Sequence, residues 1–267
     1  MDQMKLFIPT YNRVGKQHTI KQVPERWKSR VFLVCPEGEN HDWPNVIHTP
    51  EEVVGHIGKI RQWICEQADT PYVGMLDDDL TQYIRYKDGE KYRTRKCTEE
   101  EVGELFDLLE KWLQEGDVYC GTSNSFMSHE RDDEYFYGKP SHCCFLNRDY
   151  LAEHNIRYDV LRYFEDFHVP LSVLKSGKRL HYTGNFITKE KQANAEGGCS
   201  TNRTGDTNRK AMIAFHNLHK DYVVLKEEKG ATNQNLEVGV KLTIRFKKCY
   251  DDQVVNRLEN DVLDLFS

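Results

Sequence analysis

The chain has 267 residues, 38% hydrophobic and 30% charged, with a formal net charge of −6, enough length for a large core and an acidic balance that argues against indiscriminate polyanion binding. No stretch approaches the about 18 consecutive apolar residues that span a bilayer, and MDQMKLFIPTYNR has no basic leader with an apolar run behind it, so neither a membrane helix nor a secretory signal is expected. The eight cysteines include no C-x-x-C pair, which disfavours a zinc knuckle and leaves reduced, buried thiols in a cytoplasm as the expectation.

In chain order, Lys5 to Ile8 is a short apolar run stopped by Pro9-Thr10, and Val31 to Cys35 repeats the pattern before Pro36; both read as buried strands. A third strand is expected at Asn45 to His48. Thr49-Pro50-Glu51-Glu52 then resembles a helix start, with a capping threonine and proline at the first helical position. Val53, Ile57, Ile60, Ile64 and Ala68 follow on one face at helical spacing, with Arg61 beside that stripe. Tyr72 to Leu76 reads as a strand ending in Asp77-Asp78-Asp79. A Thr-x-x-Glu box at Thr98 and Glu101 opens a second helix that runs to Gly116. Further strands are expected at Val118 to Gly121, His142 to Leu146 and Leu180 to Ile187, with a helix from Asp166 to Ser176 between the last two. Adjacent Cys143 and Cys144 should face opposite sides of their strand. Beyond Glu190, NAEGGCSTNRTGDTN has no periodicity and reads as a mobile loop. A helix from Asn208 to Tyr222, a strand at Lys241 to Phe246 and a short helix near Val254 to Phe266 complete the chain. Alternating strands and helices imply an α/β fold with a mainly parallel sheet flanked by helices, which binds ligands at strand carboxyl ends. The expected organisation is one domain, with a core at 1–190 and a loop plus helical and β extension at 191–267.

Three consecutive carboxylates with no basic sequence neighbour repel one another unless a cation or hydrogen-bond donors neutralise them. Oxygen ligands favour Mg²⁺ or Mn²⁺, and period-two alternation directs Asp77 and Asp79 to one side and Asp78 to the other. The competing reading is a solvated acidic turn. Glu165-Asp166 precedes a helix, where the macrodipole keeps a carboxylate ionised and able to act as a general base, although acidic residues also favour first turns for structural reasons. Arg61 serves either as a phosphate contact or as a snorkelling surface arginine. Arg85-Tyr86-Lys87 and Lys91-Tyr92-Arg93-Thr94-Arg95-Lys96 form a basic, aromatic segment suited to nucleic-acid phosphates and bases, or simply a solvated basic hairpin.

The opening LFIPTYNR, the GKIRQW helix, YVGMLDDDL as a D-x-D motif and YFEDFHVPLSVLKSG as an acidic motif together resemble the GT-A glycosyltransferases over about the first two thirds of the chain. The resemblance implies a Rossmann-like nucleotide-sugar domain in which Pro9, Thr10, Tyr11, Arg13, Arg61, Asp77 and Asp78 border a UDP-sugar. Asp77 and Asp79 would hold Mn²⁺ or Mg²⁺, with His181 as a further ligand and His216 or His219 as alternatives. Asp166, beside Glu165, would be the base if transfer inverts the anomeric centre. A narrower likeness, carried by FIPTYNRVGKQHTI, LDDDL, EDF and GGCSTNR, is to the phage-type glycosyltransferases associated with TET/JBP dioxygenases. That likeness implies transfer to 5-hydroxymethylcytosine in DNA, in a host cytoplasm, with Arg85, Lys87, Arg93, Arg95, Lys96 and Arg203 on the DNA. A saccharide or small-molecule acceptor is the alternative, and a nucleotidyltransferase or non-catalytic nucleotide-binding module is the alternative of another class.

Overall fold

A computed structural model describes residues 3–124, 132–139, 142–190, 203–233 and 236–264, with side chains through 255. Of the run 194–208, expected to be a mobile loop, 194–202 lies outside the described residues, as does the end of the last expected helix. The run's last residues are already helical: the helix expected from Asn208 starts at Gly205, capped by Thr204. The elements in order are β1 (Lys5–Pro9), β2 (Val31–Pro36), β3 (Val46–Thr49), α1 (Ile57–Gln67), β4 (Tyr72–Leu76), β5 (Leu80–Asp88), β6 (Lys91–Lys96), α2 (Glu99–Gln114), β7 (Tyr119–Ser123) and β8 (Glu134–Tyr135). There follow β9 (Cys143–Asn147), α3 (Arg148–Glu153), α4 (Glu165–Lys175), β10 (His181–Glu190), α5 (Gly205–Leu218), β11 (Val223–Glu227), β12 (Thr232–Asn233), β13 (Leu236–Glu237), β14 (Val240–Ile244) and α6 (Phe246–Asp264).

The main sheet runs β3-β2-β1-β4-β9-β7-β10-β5-β6, with β8 paired to β10. It is mixed: β3, β2, β1 and β4 are mutually parallel, and β7 pairs parallel with β10. In contrast β9 runs antiparallel to both β4 and β7, and β5 antiparallel to β10 and β6. Strand alternation sorts the core into two layers. Phe7, Val34, Val73, Met75 and Cys144 pack beneath α1 and α4, whereas Leu6, Ile8, Leu33, Leu76, Cys143 and Phe145 pack under α2 and Trp27. The two adjacent cysteines thus face different cores. Phe215, Val223, Phe246 and Cys249, from α5, β11 and α6, join the first of these layers.

Two local readings are corrected. Thr49 ends β3 and its hydroxyl donates to the Cys35 carbonyl instead of capping a helix. Only a three-residue 3-10 turn, Glu51–Val53, follows Pro50; α1 starts at Ile57 and is capped by His56, whose Nδ1 accepts from the Lys59 amide. The last helix begins at Phe246, eight residues before the expected start at Val254. Elsewhere the end signals hold: Thr98 and Glu101 form the reciprocal capping box of α2, and Gly177 after α4 takes a φ of 84°.

Candidate active site

The triplet stands where β4 ends and the chain turns into β5, so strand alternation no longer governs it. The segment after β1 wraps this turn. The His18 and Thr19 amides both donate to the Asp78 carbonyl, at 2.7 and 3.1 Å, and the Thr19 hydroxyl donates to the Asp77 carbonyl at 2.5 Å. Thr10 Oγ1 donates to Asp78 Oδ2 at 2.6 Å, while Arg13 Nη1 reaches Asp78 Oδ1 at 2.5 Å and Asp79 Oδ2 at 3.0 Å.

The expected pairing of Asp77 with Asp79 is therefore replaced by a different partition. Asp78 and Asp79 share Arg13, and Asp77 turns to Arg61 and His142. Burial drives Asp79 up to about 6, helped by repulsion from Asp77 and opposed by Arg13. Burial also acts on Asp77, but Arg61 and then His142 outweigh it and hold that carboxyl well below its ordinary range. The fold supplies the counter-charges that the neighbouring sequence lacks.

Arg61 is 5% exposed. Its Nη2 meets Asp77 Oδ1 at 2.8 Å and its Nη1 meets Glu165 Oε1 at 3.0 Å, so a single guanidinium spans the end of β4 and the start of α4. Gly58 makes this reach possible: a Cβ there would lie 2.6 Å from the Tyr158 carbonyl oxygen, and its absence lets α1 lie against the segment that leads into α4. The residue before Glu165, Phe164, is held at a φ of 70°, a left-handed conformation that costs a side-chain-bearing residue about 1–2 kcal/mol. Its ring stacks on Phe215, with centroids 5.9 Å apart, and also packs against Phe167. These contacts hold the turn that aims the α4 carboxylates. Burial, with repulsion from Asp166, pushes Glu165 up to about 7 against the pull of Arg61.

No local sequence motif marks His142, just before β9, or Glu190, at the end of β10. His142 Nδ1 lies 3.2 Å from Asp77 Oδ2 and its Nε2 lies 2.7 Å from Glu190 Oε1. Burial alone would lower this imidazole, but its bonds to Asp77 and Glu190 raise it well above the ordinary value. One ligand atom from each of Asp77, His142 and Glu190 falls within 4.8 Å of the others. Two carboxylates and an imidazole at this separation fit a hard or borderline divalent cation such as Mn²⁺.

His181 does not belong to this group. It begins β10, nine residues and so roughly 30 Å of strand away from Glu190. There its Nδ1 bonds Asp117 at 2.6 Å and its ring stacks on Trp112 at 3.6 Å. His219 likewise stands outside this group, buried with its Nε2 2.9 Å from His168 Nδ1.

A cavity of roughly 1480 Å³ joins these parts, lined by Pro9, Thr10, Tyr11, Arg13, Arg61, the three aspartates, His142, Glu165, Asp166, Glu190 and Arg203. The basic segment forms the β5-β6 hairpin at the sheet edge, outside that lining. Arg85, expected on DNA, is 7% exposed and bonds Asp133 and Asn185; burial removes it from any surface contact. Arg93 pairs with Asp88 at 2.5 Å and Arg95 grips Glu101 through two bonds of 2.6 and 2.7 Å. Lys87 lies 5.4 Å from the Tyr92 ring centre, and Lys96 is exposed. Among the described residues no helix is long and apolar enough to cross a membrane.

A family model described as TET-Associated Glycosyltransferase matches residues 4–198. Among solved structures, S. aureus TarS 1-349 in complex with UDP is similar with a TM-score of 0.47 and 12% identity, over 80% of this chain and 64% of that one. GalNAc-T7 with UDP, GalNAc and Mn²⁺ gives 0.48 and 8% over 71% and 44% of the two chains. The mannosyltransferase PcManGT from Pyrobaculum calidifontis, in complex with GDP-Man and Mn²⁺, gives 0.48 and 12% over 81% and 64%. The chain thus spans less than two thirds of the length of each of these solved chains. No curated protein matches it.

Proposed function

The chain belongs to the TET-associated glycosyltransferase family, and on that premise we propose that it transfers a sugar from a UDP-sugar to the hydroxymethyl group of 5-hydroxymethylcytosine in DNA, with Mn²⁺ or Mg²⁺ as cofactor. The observation that carries this reading is the juxtaposition around Arg61. A three-residue group able to hold a divalent cation, Asp77, His142 and Glu190, and the carboxylates that open α4 lie in one cavity, linked by a single buried side chain.

Each residue then has a distinct task. Asp77, His142 and Glu190 hold the cation, which when bound supplies charge stabilisation for the departing diphosphate. Thr10, Arg13 and the amides of His18 and Thr19 fix the turn carrying the triplet, so the ligand set needs little rearrangement as donor binds. Asp166, half-buried at the first turn of α4 and lining the cavity, accepts the proton of the acceptor hydroxyl as it attacks the anomeric carbon. Glu165 is committed to Arg61 and positions that turn. Pro9 and Tyr11 line the donor end of the cavity. A target base inside a duplex must leave the stack to reach Asp166, at a cost of a few kcal/mol of unstacking.

The test is direct. The protein is incubated with Mn²⁺, a panel of UDP-sugars, and DNA with or without 5-hydroxymethylcytosine; the DNA is digested to nucleosides and these are weighed by mass spectrometry. A hexose or pentose increment on the modified base alone is the expected result. UDP release only when a saccharide is supplied, with no increment on DNA, refutes the DNA acceptor.

A further inference from the structure

The cavity is larger than a nucleotide-sugar needs. Its roughly 1480 Å³ exceeds the about 300–1,000 Å³ of sites that enclose one small molecule, and part of its wall comes from the stretch between Glu228 and Lys248. Three cations on the lining, Lys139, Arg162 and Arg245, are exposed and make no ion pair among the described residues. Lys139 Nζ lies 5.7 Å from the Phe167 ring centre and the Arg162 guanidinium 5.7 Å from that of Tyr163, contacts that leave their hydrogen-bond donors unspent. Arg203 stands on the same Tyr163 ring at 4.3 Å.

Other cations on this wall are already balanced. Lys241 pairs with Glu228 at 3.5 Å, and Lys247 and Lys248 each hold an aspartate one turn on. In the hairpin Arg85, Arg93 and Arg95 all hold carboxylates, whereas Lys87, Lys91 and Lys96 are exposed and make no ion pair among the described residues but stand outside the cavity lining. Exposed cations with spare donors, on a cavity wall that also carries Tyr163, Phe167 and Phe246, are what strand phosphates and an extruded base require.

Resting on the reading that DNA is the acceptor, we infer that Lys139, Arg162 and Arg245 hold the phosphates of the acceptor strand at the cavity mouth, with the target base turned in among these rings, and that the β5-β6 hairpin takes no part. The electrostatic track for nucleic acid lies along the C-terminal extension and the approach to α4.

The test measures binding of a fluorescein-labelled single-stranded oligonucleotide carrying 5-hydroxymethylcytosine, by anisotropy, over about 50–200 mM salt. It compares wild type, K139A/R162A/R245A and the hairpin variant K87A/K91A/K96A. The wall variant is expected to bind about tenfold or more weakly, with a salt slope shallower by about 2, or about 0.7 for each phosphate that is no longer neutralised. The hairpin variant is expected to match wild type. The inference is overturned if the hairpin variant carries the loss and the wall variant does not. It is equally overturned if the wall variant loses UDP affinity, read by tryptophan quenching, while keeping its grip on the oligonucleotide, because the cations then serve the donor diphosphate. Should the triple variant melt early, the exposed single changes R162Q and R245Q are read in its place, each with an expected slope change of about 0.7. Failure of the reaction separates cleanly from failure of the track: a protein that binds the strand through these cations yet adds no sugar to it contradicts the proposed chemistry and leaves the track standing.

Discussion

Replacing Arg61 with methionine keeps most of the side-chain volume and deletes the charge that two carboxylates share. Breaking a buried ion pair by removing one partner costs about 3–5 kcal/mol, because the other charge is left in low dielectric. The two partners do not suffer equally. The Asp77 side chain is 27% exposed and retains His142 at 3.2 Å, whereas the Glu165 side chain is 7% exposed and has no other side-chain partner among the described residues. Most of the penalty therefore falls on Glu165, whose carboxyl, already raised to about 7 by burial, takes up a proton once Arg61 is gone; this places Arg61→Met near the lower end, about 3 kcal/mol or a fall in Tm of about 6–12 °C. Urea unfolding followed by the fluorescence of the four tryptophans reads the loss directly. Adding Glu165→Gln removes the carboxyl that must otherwise be held protonated, so above about pH 7 the double variant should recover about 1 kcal/mol or more. A single variant within about 0.5 kcal/mol of wild type, or a double variant no better than the single, refutes the bridging role.

Asp166→Asn should lower kcat by about 10²–10⁴ with UDP-sugar affinity intact; full activity of this variant in the nucleoside mass assay removes Asp166 from the proton transfer. His142→Ala should weaken Mn²⁺ activation by about tenfold or more, while His181→Ala leaves it unchanged because that imidazole lies at the far end of β10; equal effects in a Mn²⁺ titration contradict the ligand set. The buried pair His168 and His219 is pushed down by burial to about 4 and about 3, below the about 6.5 of a free imidazole. The unfolded chain consequently takes up protons first, and from about pH 6.5 down to about pH 4 each imidazole removes up to about 1.4 kcal/mol of stability per pH unit. Urea midpoints between about pH 7 and pH 5 should fall less in H168Q/H219Q than in wild type, and parallel curves count against the pair.

Elements with local signatures were legible in the sequence. The capping box at Thr98, the apolar run Tyr72 to Leu76 and the acidic start of α4 each depend on residues within one turn or one strand. The errors arise where partners come from far along the chain. The triplet looked unneutralised because Arg13 and Arg61 are separated from it by 65 and 16 residues. The rule that ligands gather at carboxyl ends of parallel strands does not flag His142, at the start of an antiparallel strand, and Glu190, at the carboxyl end of β10, has no local motif to mark it. Pairing of Leu76 with Cys143, and of Glu190 with Leu80, is what brings the start of β9 and the end of β10 beside Asp77. Two hairpin arginines carry partners that local sequence does not announce. The hairpin's composition is basic, but Glu101 and Asp133, which neutralise Arg95 and Arg85, come from α2 and from beside β8.

Gly58 has an evolutionary corollary. With the Tyr158 carbonyl 2.6 Å from where its Cβ would stand, this position can acquire no side chain unless α1 retreats, and a retreating α1 withdraws Arg61 from both carboxylates. Drift at positions 58, 61, 77 and 165 is therefore tied together. A Gly-x-x-Arg helix start, followed by an acidic strand end and a later glutamate opening a helix, is a fingerprint by which diverged chains sharing this geometry can be picked out when overall identity has faded.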